Sequence, residues 1–288
     1  MYGALVIAYL FLGGTAAGGF FAMSAWSLAL HRAPRTFRYR QAFASLQARV
    51  FTICLIMLMA SIMFLLWDLE HPERVLLVLL RPHATVISFG AACLIVETLL
   101  GGILALHYLF HLPPLAGRVL TAMHVLCCAF SIATMTYTGV FLASNPAVPF
   151  WGTWSLVAVF ACSSLSCGIT LLLLVDYFIK DQTLLLRAAR PLQVLHLACL
   201  AAEAASLAVF VATALNDPAA AHAIDMLRSP TIFPTVLIGI VGFGIAVPAL
   251  LETYALTRTE CRTIPVSDVL CLCGGLCLRY SVIVCGVH

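Results

Sequence analysis

Residues 151–179 read WGTWSLVAVFACSSLSCGITLLLLVDYFI. Asp176 is the only charged side chain in that run. The run exceeds the ~20 apolar residues that a helix needs to cross a bilayer. Seven more such runs lie along the chain, and together the eight cover approximately 4–30, 45–66, 84–111, 117–143, 151–179, 191–215, 232–256 and 266–286. Sixty-three percent of all residues are hydrophobic, nine percent are charged, and the mean hydropathy is +1.07. A water-soluble fold still needs a polar exterior, so the solvent of this chain is lipid. The pattern predicts an all-α membrane protein. About eight transmembrane helices form two four-helix bundles within a single integral membrane domain, residues 1–288.

Charge and turn chemistry separate the runs: His31–Arg40, Asp68–Arg81, Pro113–Arg118, Asn145–Pro149, Lys180–Arg190, Asn216–Pro230 and Thr257–Pro265. Pro191 opens the sixth run, where a missing N–H costs little. Pro248 falls inside the seventh and predicts a kink there. Residues Met1 to Leu30 lack a positive leading region, and their positive charge follows the apolar run instead. This reads as a first spanning helix rather than a cleaved leader. The formal net charge of +3 is small and gives no reason to expect a nucleic-acid partner.

Lys and Arg set the orientation. Connections one, three, five and seven, with the adjoining helix ends, carry Arg32, Arg35, Arg38, Arg40, Arg49, Arg118, Lys180, Arg187, Arg190, Arg258 and Arg262. The other side carries only Arg74, Arg81, Arg228 and Arg279. Positive residues stay cytoplasmic, so both termini of this multi-pass chain are expected to be extracytoplasmic.

Most of the twelve cysteines sit inside apolar runs and read as small packing residues. Cys271, Cys273 and Cys277 are close in sequence, but their spacing fits neither a zinc knuckle nor an iron–sulfur signature.

Ionisable and small residues inside the runs are the functional candidates. The first run contains Gly13-Gly14-Thr15-Ala16-Ala17-Gly18-Gly19. Gly14 and Gly18 make a face for close helix packing or, alternatively, the floor of a pocket for a flat ligand. The link after the second run reads Trp67-Asp68-Leu69-Glu70-His71-Pro72-Glu73-Arg74. It is either a solvated loop with weak ion pairs or the rim of a redox site with acid and imidazole as proton acceptors. Tyr137 precedes Thr138-Gly139 near the end of the fourth run, where its phenol can donate to a ligand carbonyl or simply anchor the interface. Glu97 and Glu203 fall near the middle of runs three and six. A midplane carboxylate is costly unless protonated or paired, so these two are proton-relay candidates or structural interhelical bonds. His107, His124 and His196 extend that outline towards the cytoplasm. Asp176 and Glu252 are expected to be hydrated at helix ends, and Arg279 to snorkel outward or pair with Asp68 or Glu70.

In order and spacing these residues resemble the NrfD/PsrC family of integral membrane subunits. The resemblance is carried by Tyr9-Leu10-Phe11-Leu12-Gly13-Gly14 through Ala17-Gly18, by Asp68 through Arg74 with Arg81-Pro82 and Ser88-Phe89-Gly90, and by Tyr137-Thr138-Gly139 through Leu142. Phe160 to Gly168, Gly242 to Leu251 and Leu278-Arg279-Tyr280 through Gly286 complete it. It implies a membrane anchor that exchanges electrons between menaquinone or ubiquinone and a ferredoxin-like [4Fe–4S] subunit, which serves a molybdopterin catalytic subunit, with no haem or metal in this chain. Tyr137 matches the tyrosine associated with the quinone headgroup, and Glu203 an acid of the sixth helix. Several members use residues before the first helix for the quinone. Here only Met1-Tyr2-Gly3 precede it, so Asp68 or His71 is expected to substitute.

Two other classes compete. Midplane carboxylates and a glycine-broken helix also fit a secondary transporter, although no internal repeat stands out. A haem b electron-transfer subunit would use His107, His124 or His196. His107 and His111 share one helix face, whereas paired axial imidazoles come from facing helices.

Overall fold

The computed structural model describes residues 3–30, 37–68, 85–110, 117–145, 147–178, 182–257 and 264–287. Its long helices are α1 (Ala4–Leu30), α2 (Phe37–Asp68), α3 (Val86–Leu109), α4 (Gly117–Ala143), α5 (Trp154–Tyr177) and α6 (Gln182–Asn216). A short α7 (Ala221–Leu227) follows. A π-helical stretch (Thr235–Ala246) then runs into α8 (Val247–Thr257), and α9 (Pro265–Val287) closes the chain. Among the described residues, eight helical stretches are long and apolar enough to cross a membrane, with Thr235–Thr257 counted as one. A helix rises about 1.5 Å per residue, so each reaches across a ~30 Å hydrocarbon layer.

Helices α1–α4 pack on one another, and α5, α6, the seventh span and α9 form the other group. The two groups meet where α5 packs against α1 and α4. That seam is tight because it lacks side chains. A Cβ placed on Gly18 would lie 2.0 Å from the Ser164 carbonyl oxygen, and one on Gly168 2.1 Å from Gly18 carbonyl carbon. Lipid tails are as apolar as Leu, so close van der Waals contact is what holds such helices together. Phe20, Phe51, Phe160 and Trp151 fill the interior, while Ile56, Met63, Leu99, Ile103 and Leu250 face outward. Water would not tolerate that many exposed apolar side chains, but lipid does.

Two helices begin earlier than their apolar content indicates. The first turns of α2, from Phe37, carry Arg38 and Arg40, and α6 starts at Gln182. Pro191 therefore lies inside α6 rather than at its start. Hydropathy marks where lipid begins; it does not mark where backbone hydrogen bonding begins. The irregularity expected at Pro248 takes the form of π-helical turns that end at Ala246, two residues before it. A wider turn relieves the clash between a proline ring and the preceding carbonyl.

Hydroxyl and amide bonds fix the first group at both ends. Ser61 Oγ donates to Tyr9 O at 3.1 Å, and Gln47 Nε2 donates to Ser27 Oγ at 2.8 Å. Thr85 caps α3 by accepting from Ser88 N at 3.3 Å, which sets the helical phase that presents Gly90.

Candidate functional site

Near one end of the first group, two phenols lie together in the core. Tyr137 on α4 and Tyr9 on α1 are neighbours, and both are buried. The ring of Tyr137 lies directly on Gly90 of α3, where an added Cβ would stand 2.0–2.4 Å from its atoms. Phe141 flanks the ring at 6.1 Å between centroids. Only glycine at position 90 leaves room for Tyr137 in this position. Asp68 ends α2 at the exposed rim, with its Oδ1 3.6 Å from the site of a Cβ on Gly3. Tyr9 is six residues further along α1, hence about 9 Å deeper. His71, with Glu70, Glu73 and Arg74, lies outside the described residues.

Below the phenols runs a line of buried polar atoms. Cys93 neighbours Tyr137, and Glu97 is about 10 Å further along α3 from Gly90. Glu97 is fully buried; its Oε1 accepts from Ser131 Oγ at 2.7 Å, and its Oε2 has no partner. A charged carboxylate there is costly without a proton or a water to satisfy it. Phe20 and Phe51 stack below, at 5.9 Å. Phe51 in turn covers Tyr108 and His124, whose hydroxyl and Nε2 are 2.8 Å apart. His107 packs edge-on against Tyr108.

The second group holds a separate polar chain. Arg279 is fully buried, not snorkelled and not paired with Asp68. Its guanidinium donates to Leu10 O (3.1 Å), Gly275 O (2.8 Å), Ser163 Oγ (3.2 Å) and Ser164 Oγ (2.9 Å), and lies over the rings of Phe11 and Phe160. The expectation of an outward Arg279 is corrected by the glycines around it. Gly14 and Gly275 leave the space that its planar head occupies between helices, where carbonyls and hydroxyls replace water. Glu203 is buried beside Ser163, Cys167 and Arg279. His196 binds Glu252 Oε1 through Nδ1, and its Nε2 takes Ser166 Oγ at 3.0 Å and Thr170 Oγ1 at 2.9 Å. With Glu252 ionised, Nδ1–H donates and Nε2 accepts both hydroxyls. Asp268 lies beside Glu252 with neither oxygen bonded. Glu252 and Asp176 are therefore buried rather than hydrated at helix ends, a second correction. Glu252 lies five residues before the end of α8, where His196 of α6 and Asp268 of α9 cover it. From Arg279 to Asp268 the chain spans about 16 Å of α9.

The sequence candidates thus divide. Tyr137 and Glu97 share one line in the first group, with Asp68 at its rim; Glu203 belongs to the second group. Gly14 and Gly18 are not beside Tyr137. Gly14 faces Ser164 and Arg279, and Gly18 faces Ser164 and Gly168, so their face is used for packing against α5. Gly13 is the glycine that faces α2, through Ser61. Cys271, Cys273 and Cys277 point apart: Cys271 towards Ser166, Cys273 outward, Cys277 against Gly239. Among the described residues no cluster of three His, Cys, Asp or Glu side chains is placed to share a metal ion. Sequence reasoning missed Tyr9 as a partner of Tyr137. The available signal was its position one turn before Gly13, a phenol inside an apolar run.

Comparison with known families gives a match to the one described as "Polysulphide reductase, NrfD", over residues 1–288. Comparison with curated protein sequences gives no match. The family match covers the whole chain, and the eight apolar spans fit it, so this chain belongs to the polysulphide reductase NrfD family, membrane subunits of quinone-linked oxidoreductase complexes.

Proposed function

We propose that this chain is a membrane anchor that exchanges electrons between menaquinone or ubiquinone and a peripheral ferredoxin-like [4Fe–4S] subunit, itself attached to a molybdopterin catalytic subunit. The observation that carries this reading is the Tyr9–Tyr137 phenol pair seated on Gly90 below the Asp68 rim. A quinone headgroup is flat and apolar with two carbonyl oxygens. A site for it needs an apolar wall and few directed donors. Tyr137 supplies the donor to one oxygen, with the Tyr9 phenol beside it. Asp68, and His71 beside it in sequence, accept the protons that leave a quinol. The quinone supplies the redox chemistry, and the protein supplies position and proton acceptors.

The basic residues Arg38, Arg40 and Arg118 begin α2 and α4, at the end opposite the phenols. Positive residues stay cytoplasmic, which puts the phenols and both termini on the outer face of a bacterial inner membrane. Glu97 and Glu203 are proton relays in this reading. Glu97 serves the line below the phenols. Glu203 serves the chain through His196, Glu252 and Asp268.

Tyr137→Phe in the assembled complex tests the assignment. It removes one hydroxyl and keeps the ring on Gly90. Quinol turnover should fall roughly tenfold or more, the worth of one directed hydrogen bond. Wild-type turnover would remove Tyr137 from the site.

A further inference from the structure

At the end of α1–α4 opposite the phenols lies a cavity of about 370 Å³. Its polar wall is Ser27, Arg40, Gln47, Tyr108, Thr121 and His124, and no carboxylate is among its lining residues. Leu28, Leu30, Phe43 and Leu120 form the rest of the wall. Two helix N-termini (α2, α4) and two C-termini (α1, α3) meet at this end, so their dipoles offset one another. The side chains therefore set the sign of the cavity, and Arg40 makes it positive. Arg40 is exposed and forms no ion pair among the described residues. It stands on the first turn of α2, at the level where a long helix leaves the hydrocarbon. We propose that this cavity holds an anionic phospholipid, its phosphate on Arg40 and the start of an acyl chain along Leu28 and Leu120.

Three features select this occupant. A guanidinium matches phosphate oxygens in charge and in geometry. Basic pockets between membrane helices take anionic headgroups for that reason. The mixed wall suits an amphiphile, because a free phosphate would leave Leu28, Leu120 and Phe43 in water. A neutral quinone would gain nothing from Arg40 that Tyr108 and Gln47 do not already offer.

The test uses the full purified chain, stripped of lipid and titrated with dioleoyl phosphatidylglycerol, dioleoyl phosphatidylcholine, inorganic phosphate or a short-chain quinone. Native mass spectrometry reads the bound species. Phosphatidylglycerol should bind in preference to phosphatidylcholine. Arg40→Gln should weaken it roughly fivefold, the effect of one basic residue at a membrane surface. Arg40→Lys should keep most of the preference, and Arg118→Gln, outside the cavity, should keep all of it. Equal binding of the two lipids by the wild type would overturn the proposal without any variant. So would phosphate or quinone displacing the lipid, or Arg118→Gln costing as much as Arg40→Gln.

Discussion

Gly90→Ala adds one methyl group and leaves the chemistry of every ionisable and aromatic side chain intact. Its Cβ would stand 2.0, 2.1 and 2.4 Å from Tyr137 Cζ, Cε2 and Cε1. Carbon atoms in contact prefer about 3.5–4.0 Å. The ring, or α3 itself, must therefore retreat by about 1.5 Å. Overpacking of this kind costs about 1–3 kcal/mol of stability. Displacement by about 1 Å of a positioning group can cost about a hundredfold in rate. Quinol-dependent electron transfer in the assembled complex should fall by about that factor, while the complex still assembles. Gly102→Ala is the matched control on the same helix, because an added Cβ there meets nothing within 4 Å. Alanine is favoured over glycine in a helix by about 1 kcal/mol, so the control should be neutral or slightly stabilised. Wild-type turnover in Gly90→Ala, or an equal loss in Gly102→Ala, would refute the placement of Tyr137 as a positioned donor.

Arg279→Met should lower stability by roughly 1–3 kcal/mol, because it leaves the Leu10 carbonyl and the Ser163 and Ser164 hydroxyls buried without their donor. Thermal unfolding in detergent measures it; an unchanged midpoint would show that the guanidinium does not tie α9 to α1 and α5. For the relays, Glu97→Gln and Glu203→Gln complexes in proteoliposomes should move fewer protons per electron across the membrane than wild type. Quinol oxidation itself should release protons on the side that bears the termini. An unchanged proton-to-electron ratio in both variants would remove these two acids from any relay.

The eight spans were legible because lipid imposes a simple demand, an apolar run of sufficient length, and residues such as 151–179 meet it without ambiguity. Tyr137 stood out for a related reason, as a phenol in an apolar run. What hydropathy does not encode is azimuth, the face of the helix on which a residue lies. Depth alone suggests that Arg279 snorkels or pairs with an outer-face acid, because hydropathy gives its level in the helix and not its face. Its acceptor on Leu10 is 269 positions away in sequence. Glu252 looked like a hydrated helix end, yet it meets His196 across 56 positions. Gly14 and Gly18 illustrate the same gap. Small residues announce a close approach and do not say to what, and here the approach is to α5. The phase of α3 made Gly90 the seat of Tyr137, and only three-dimensional packing shows it.

The most direct measurement is photolabelling of the assembled complex with an azido-quinone, followed by peptide mapping. Label should fall on the outer segments that carry Tyr9, Gly90 and Tyr137, and excess natural quinone should compete it away. Competable label on the opposite end, around Tyr108 and His124, with none near Tyr137, would contradict the account.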